Sequence, residues 1–276
     1  MLRLLYEIIV DKSRLQTLQP SELNDEAIIE LLERFENLGH INDLEKAIAM
    51  QRKTIISTPL NSANRPLMLS DLGISYQRRY ERFGDVKDID TAIKQQFKAL
   101  ASIPRDSTHR PTLLTNLGDA HARRFERFGE RKDIDFAVEQ YVQAAASVPL
   151  NNINRPVILC NLGNSYQVRF ERFGNIQDLE SAIEQNLEAV VSIPLNSADR
   201  PVVHTSLGTS YLRRFERFGE RKDIDSALEQ QLKAAASVPS NSAHRHQIFL
   251  NLGNSYQSRF EIFGNRGLGI CIQTPA

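Results

Sequence analysis

Tryptophan is absent from the 276 residues, cysteine occurs only twice, and neither sign of charge prevails, with 34 Lys and Arg against 34 Asp and Glu. Each shortage closes off a class of function. Cys160 and Cys271 form no spacing pattern, so there is no disulfide framework and no thiolate metal site. A balanced charge and a pI near 7.0 speak against nucleic acid as the partner, because its binders carry a basic excess or stripe. Long hydrophobic runs are also lacking. The apolar opening MLRLLYEIIVDK is interrupted by Glu7 and Asp11. It is too short and too charged to span a bilayer, and it has no small-residue cleavage site. The expectation is a reduced, cytoplasmic protein with no membrane partner and no cofactor.

What the chain has in quantity is repetition. Gly73, Gly118, Gly163, Gly208 and Gly253 stand 45 residues apart without a slip. Pro59, Pro104, Pro149, Pro194 and Pro239 keep the same step, as do Gly84, Gly129, Gly174, Gly219 and Gly264, with Gly39 ahead of them. An Arg-Pro pair opens four units, at Pro66, Pro111, Pro156 and Pro201, and Arg245-His246 takes its place in the fifth. A fixed period of this kind is the mark of an array of like supersecondary units.

Inside a unit the apolar residues step by three and four. Leu69, Leu72, Tyr76, Tyr80 and Phe83 make one helical stripe, and Ile89, Ala92, Ile93, Phe97 and Leu100 make a second. Pro66 suits a first helical turn, Gly84 a helix C-terminus, and Asp88 the N-cap of the second helix. No stretch alternates with a period of two. Each unit is therefore a helical hairpin. A single hairpin's apolar stripes fall short of the entropy lost in ordering its backbone, so the units must stack and share faces.

The order Leu72-Gly73, Tyr76, Ala92, Ala99, Pro104 resembles the tetratricopeptide repeat, in which a Leu-Gly-x-x-Tyr helix packs on a helix with spaced alanines followed by proline. The family's usual period is shorter. The extra length divides between a seven-residue insertion that holds the RYERFG segment and keeps the helical face in phase, and the Pro104–His109 connection. The elongated form, with its RFERFG and DIDxAI segments, is similar to fungal arrays that precede a caspase-like CHAT peptidase domain or follow a nucleotide-switch domain. The resemblance covers about residues 20–264 and implies an all-α fold, a right-handed superhelical solenoid of antiparallel helix hairpins. It also implies a division of the chain. Residues 1–19 form an N-terminal capping helix, 20–64 a degenerate first repeat with Ile28 in the glycine slot, and 65–245 four 45-residue repeats. Residues 246–264 form the first helix of an incomplete repeat, and 265–276 an irregular tail.

Little in the chain points to catalysis. Cys160 fills the slot of Ser70, Thr115 and Thr205 in sister units, a small helix residue rather than a thiolate beside a base. The six histidines share no ligand spacing, and no glycine loop follows a strand. Recurring acids such as Asp133 and Asp135 suit the positive end of a helix dipole. The recurring arginines, Arg79, Arg124, Arg169, Arg214 and Arg259, are expected to lie along the core and pair with nearby acids. A pentatricopeptide-type RNA reader would be basic and have a different period.

In tetratricopeptide arrays the first helices line the concave groove, so the resemblance assigns the face opposite the apolar stripe to binding. That face carries Asp71, Asn116, Asn161, Ser206 and Asn251. One turn on come Ile74, Asp119, Asn164, Thr209 and Asn254, and then Arg78, Arg123, Val168, Arg213 and Ser258. Amides can bond the backbone of an extended peptide without reading its sequence. The lysines that clamp a terminal carboxylate in chaperone-binding relatives are replaced by Ser70, Thr115, Cys160 and Thr205. The expected function is a non-catalytic scaffold that binds a peptide or partner domain, with self-association through the incomplete C-terminal repeat as a further outcome. The alternative is a regulatory repeat fragment of a CHAT-type peptidase or nucleotide-switch protein.

Overall fold

A computed structural model describes residues 20–264, and among them are eleven helices and no strand. They are α1 (Pro20–Leu38), α2 (Ile41–Ser57), α3 (Arg65–Phe83), α4 (Val86–Ser102), α5 (Arg110–Phe128) and α6 (Arg131–Ala146). The rest are α7 (Arg155–Phe173), α8 (Ile176–Ser192), α9 (Arg200–Phe218), α10 (Arg221–Ser237) and α11 (Arg245–Phe263). The expected capping helix over 1–19 and tail over 265–276 lie outside the described residues. The chain divides into two compact units, one ending at Arg124 and one beginning at Phe125, with the boundary inside α5.

The ends of the helices follow from local backbone chemistry. Each first helix has proline in its opening turn where the sequence supplies one, since the missing N–H has no intrahelical partner to lose. Gly84, Gly174 and Gly219 close α3, α7 and α9 with φ between 72 and 74°, a left-handed conformation that a Cβ would disfavour. The second helix starts two residues later, so the pair can only run antiparallel. One cap differs from the sequence expectation. The N-cap of α4 is Asp85, whose extended backbone lets its carboxylate accept from Lys87 N–H at 3.0 Å. Asp88 lies within the first turn and is buried.

In the first unit α1 packs on α2, α2 on α3 and α3 on α4. In the second α6 packs on α7, α7 on α8, α8 on α9, α9 on α10 and α10 on α11. Glycine brings paired backbones together. A Cβ on Gly73 would lie 2.7 Å from Gln96 Nε2, and one on Gly163 only 2.5 Å from Asn186 Oδ1. Leu207, Phe215, Ile224 and Ala227 are fully excluded from solvent in the α9–α10 pair, and Leu252 and Phe263 of α11 close over that cluster.

The buried aspartates and recurring arginines meet. Arg79 donates through Nε and Nη2 to Asp88 at 2.9 and 2.6 Å within its own hairpin, and through Nη1 to Glu45 of the preceding one at 2.9 Å. Arg169 repeats this with Asp178 and Asp135, and Arg214 with Asp223 and Glu180. Each guanidinium also lies over a tyrosine one turn back, at 5.1–5.4 Å. These arginines are internal staples, paired with acids as their recurrence predicts. The arginine before each proline has a second task. Arg65 donates to the carbonyls of Ile55 and Thr58 at 2.6 Å, capping the end of α2, and Arg155 and Arg200 reach back in the same way.

Candidate functional site

Successive first helices leave clefts between them on the face that the sequence marks for binding. In the first unit a cleft of about 570 Å³ lies between α1 and α3. Ile28, Ile29 and Leu32 of α1 face Leu67, Met68 and Ile74 of α3 across it, and Asp25, Asp71 and Arg78 stand at its polar margin. Residues expected for binding, Asp71 and Arg78, are thus brought together here. The apolar wall on α1 is new. Its one sequence signal is Ile28 in the slot that the later units fill with glycine.

The cleft also exposes an interrupted hydrogen-bond chain. In the second unit Ser210 sits with no solvent exposure between Gln167 and Asn186, donating to Gln167 Oε1 at 3.0 Å and accepting from Asn186 Nδ2 at 3.0 Å. Three repeats earlier the same positions hold Ser75, Leu32 and Gln51. Leucine can neither donate nor accept. Ser75 Oγ is consequently buried without a hydrogen-bond partner among the described residues; Gln51 Oε1 is unpartnered too, as is its counterpart Asn186 Oδ1, and Ser75 and Gln51 both line the cleft. Leaving such groups unpaired costs about 1–3 kcal/mol each.

The margin is acidic on balance. Arg78 is held by Glu36 at 2.6 Å. Asp71 keeps much of its surface open, yet its carboxyl is pushed above the ordinary carboxylate value. The first cause is the packed cleft wall that strips its water and the second is the nearby Asp25, against the opposing pull of Arg78.

In the second unit a smaller cleft of about 230 Å³ lies between α9 and α11, and Leu212 is the one apolar residue among those that line it. It gathers three more of the expected residues, Arg213, Asn251 and Asn254, with Thr209 and Ser258 beside them. Arg213 is engaged by Glu171 and Glu216 at 2.6 and 2.8 Å, and Asn251 Oδ1 accepts from Gln247 at 2.8 Å. Asn254 stays exposed.

The remaining expected residues line neither cleft. Asn116 donates to Ser70 Oγ at 2.9 Å, a bond between first helices one repeat apart. Asn164 points its amide at Cys160 Sγ at 3.7 Å in its own helix. Arg123 pairs with Glu81 at 3.1 Å, and Asp119 and Asn161 are half-buried. Cys160 itself is buried, its thiol donating to Ser206 Oγ at 3.2 Å, and burial pushes its pKa up, opposite to what a nucleophile needs. Among the described residues no three His, Cys, Asp or Glu side chains gather as metal ligands do, and no helix is long and apolar enough to cross a membrane.

Comparison with solved structures agrees with this architecture. The chain is similar to BtubC from P. vanneervenii, with a TM-score of 0.57 at 20% identity over 79% of this chain and 85% of that one. It is similar to a thermophilic TPR protein of Thermus thermophilus, with a TM-score of 0.55 at 14% identity over 83% and 99% of the two chains. A Podosopora anserina putative kinesin light chain of nearly identical TPR-like repeats gives 0.53 at 16% identity over 72% and 89%. No protein-family model and no curated protein matches the chain. The fold is that of a tetratricopeptide-type helical repeat array, all-α and built of antiparallel hairpins.

Proposed function

We propose that the chain is a non-catalytic, cytoplasmic scaffold that holds a peptide or partner domain along the exposed face of its first helices. The cleft between α1 and α3 takes an apolar anchor side chain of that partner. One observation carries this reading: Leu32 interrupts the chain that Gln167, Ser210 and Asn186 complete elsewhere, leaving Ser75 unpaired beside the orphan Gln51 Oε1 beneath an apolar cleft. An apolar pocket with a few convergent polar groups is the usual form of a binding site. The partner's backbone amide or carbonyl would satisfy the two orphans. A lysine or arginine next to its anchor would face Asp25 and Asp71, since Arg78 is already engaged by Glu36. In the second unit the open amide of Asn254 suits the backbone of an extended segment.

Selection from a random peptide library against the full chain should enrich an apolar residue beside a basic one. Leu32→Gln supplies the missing acceptor for Ser75 and makes the apolar wall of the cleft polar, and it should weaken the selected peptides about tenfold or more. Asp71→Asn should weaken those with a basic residue. The Asp71 carboxylate must be ionised to attract a cation, so their affinity should fall as pH drops through its raised pKa. Selected peptides that bind Leu32→Gln and Asp71→Asn as tightly as the natural chain would rule out the cleft as the site.

A further inference from the structure

The helix α11 presents a face that its sister helices keep covered. Phe249 is 44% exposed, whereas His204 and Leu159, one and two repeats earlier, are 2% and 1% exposed. Phe260 is 57% exposed and its counterpart Phe215 is fully buried. Tyr256 lies between them at 48%. In α7 and α9 that face meets the second helix of the hairpin, and the contact is specific. Asn186 sits against Gly163, and Gln231 with the Ala227 carbonyl against Gly208, so that a Cβ at either glycine would meet atoms at 2.5–2.7 Å. Among the described residues a Cβ on Gly253 would meet nothing within 4 Å.

The charge pattern is likewise half complete. Arg214 grips Asp223 of its own hairpin at 2.7 Å as well as Glu180 of the preceding one at 3.1 Å. Arg259 reaches Asp225 of the preceding hairpin at 3.7 Å, and among the described residues this is its one carboxylate. Nine residues on, where Arg79, Arg169 and Arg214 have an aspartate, the sequence after Arg259 has Leu268.

The open face and the half-matched guanidinium have one complement. We propose that the face of α11 formed by Phe249, Gly253, Tyr256, Phe260 and Arg259 is a docking site for a single amphipathic helix supplied by a partner polypeptide. That helix carries an aspartate for Arg259, a small residue four positions on, and glutamine or asparagine eight positions on over Gly253. The pattern is read from the helices that cover the same face elsewhere: Asp178, Ala182 and Asn186 in α8, and Asp223, Ala227 and Gln231 in α10. Gly253 admits the close backbone approach, the aromatic side chains supply the apolar contact, and the half-matched guanidinium selects for the acid.

The chain itself provides the probe. A fluorescein-labelled peptide of residues 220–239 is closed by a lactam between Glu229 and Lys233, which pair at 2.6 Å on the exposed side of α10, so helix formation is no obstacle. Titration with the full chain, followed by anisotropy, should give saturable binding. The peptide carrying Asp223→Asn should bind about tenfold more weakly or worse. The chain carrying Gly253→Leu should lose binding while keeping its helicity, because no described residue stands within 4 Å of a side chain there. Leu32→Gln in the chain should leave this binding unchanged, separating it from the cleft between α1 and α3. Absence of binding, or equal binding of the Asp223→Asn peptide, would overturn the proposal. So would dimers of the full chain that Gly253→Leu disperses and the peptide does not, since the occupant would then be a second copy. Binding that appears only after deletion of residues 265–276 would assign the face to the chain's own tail and also overturn it.

Discussion

At the scale of single residues, His204 shows how one substitution within a repeat changes its chemistry. It occupies the position of Leu69, Leu114 and Leu159, is 2% exposed, and sets Nδ1 2.8 Å from Gln230 Oε1. Its pKa is lowered, first by burial and further by Arg200 and Lys233, against the Gln230 bond. A base whose folded pKa lies below its unfolded value of about 6.5 binds protons more readily when unfolded. Its contribution to stability is complete above that value and is lost as pH falls towards the folded pKa. Urea midpoints measured between pH 7.5 and 5 should therefore drop more steeply for the natural chain than for His204→Leu. Parallel profiles for the two would show that His204 does not titrate as its burial requires. The histidine's position was legible from the period. Its burial beside Gln230 was not, because that contact joins two helices.

At the scale of helices, the recurring glycine is the contact on which each hairpin closes. The sequence pattern marked it, since the tetratricopeptide resemblance requires a small residue there. It did not mark the side chain opposite. In the α7–α8 pair that side chain is Asn186, fully buried and bonded to Ser210, so it cannot retreat. Gly163→Ala should cost about 1–3 kcal/mol in chemical denaturation, the usual range for overpacking. Gly253→Ala meets none of the described residues within 4 Å and should add up to about 1 kcal/mol through helix propensity alone. Equal effects of the two would show that packing does not distinguish these glycines. The helix-start signals were less completely legible. Pro66 marked its turn, but Asp88 is read as a cap by spacing, while the backbone gives that role to Asp85 and leaves Asp88 for Arg79. Two acids three residues apart look alike in sequence. Only the two-residue connection Gly84-Asp85 decides which one has an extended backbone.

At the scale of the whole molecule, stability in such an array comes from each hairpin and its immediate neighbours. Within the second unit, α9 buries nine side chains or glycine positions and α11 only Ile248 and Ser255. Amides in α11 should exchange with solvent at least about tenfold faster than those in the middle of α9 by hydrogen-exchange mass spectrometry. Equal protection would mean that the exposed face of α11 is covered in solution by the free chain itself. What the sequence determined by itself was the unit: its length, its two helices, their ends at proline and glycine, and the acids and arginines that pair. Those features depend on backbone conformation and on periods of three to four residues, which local chemistry sets. Tertiary structure alone decided which polar groups are left unsatisfied and which faces stay open. Whether Ser75 has a partner depends on Leu32, and whether Gly253 is crowded depends on a helix laid against it, because packing and hydrogen bonding are set by what stands opposite a residue, not by its neighbours along the chain.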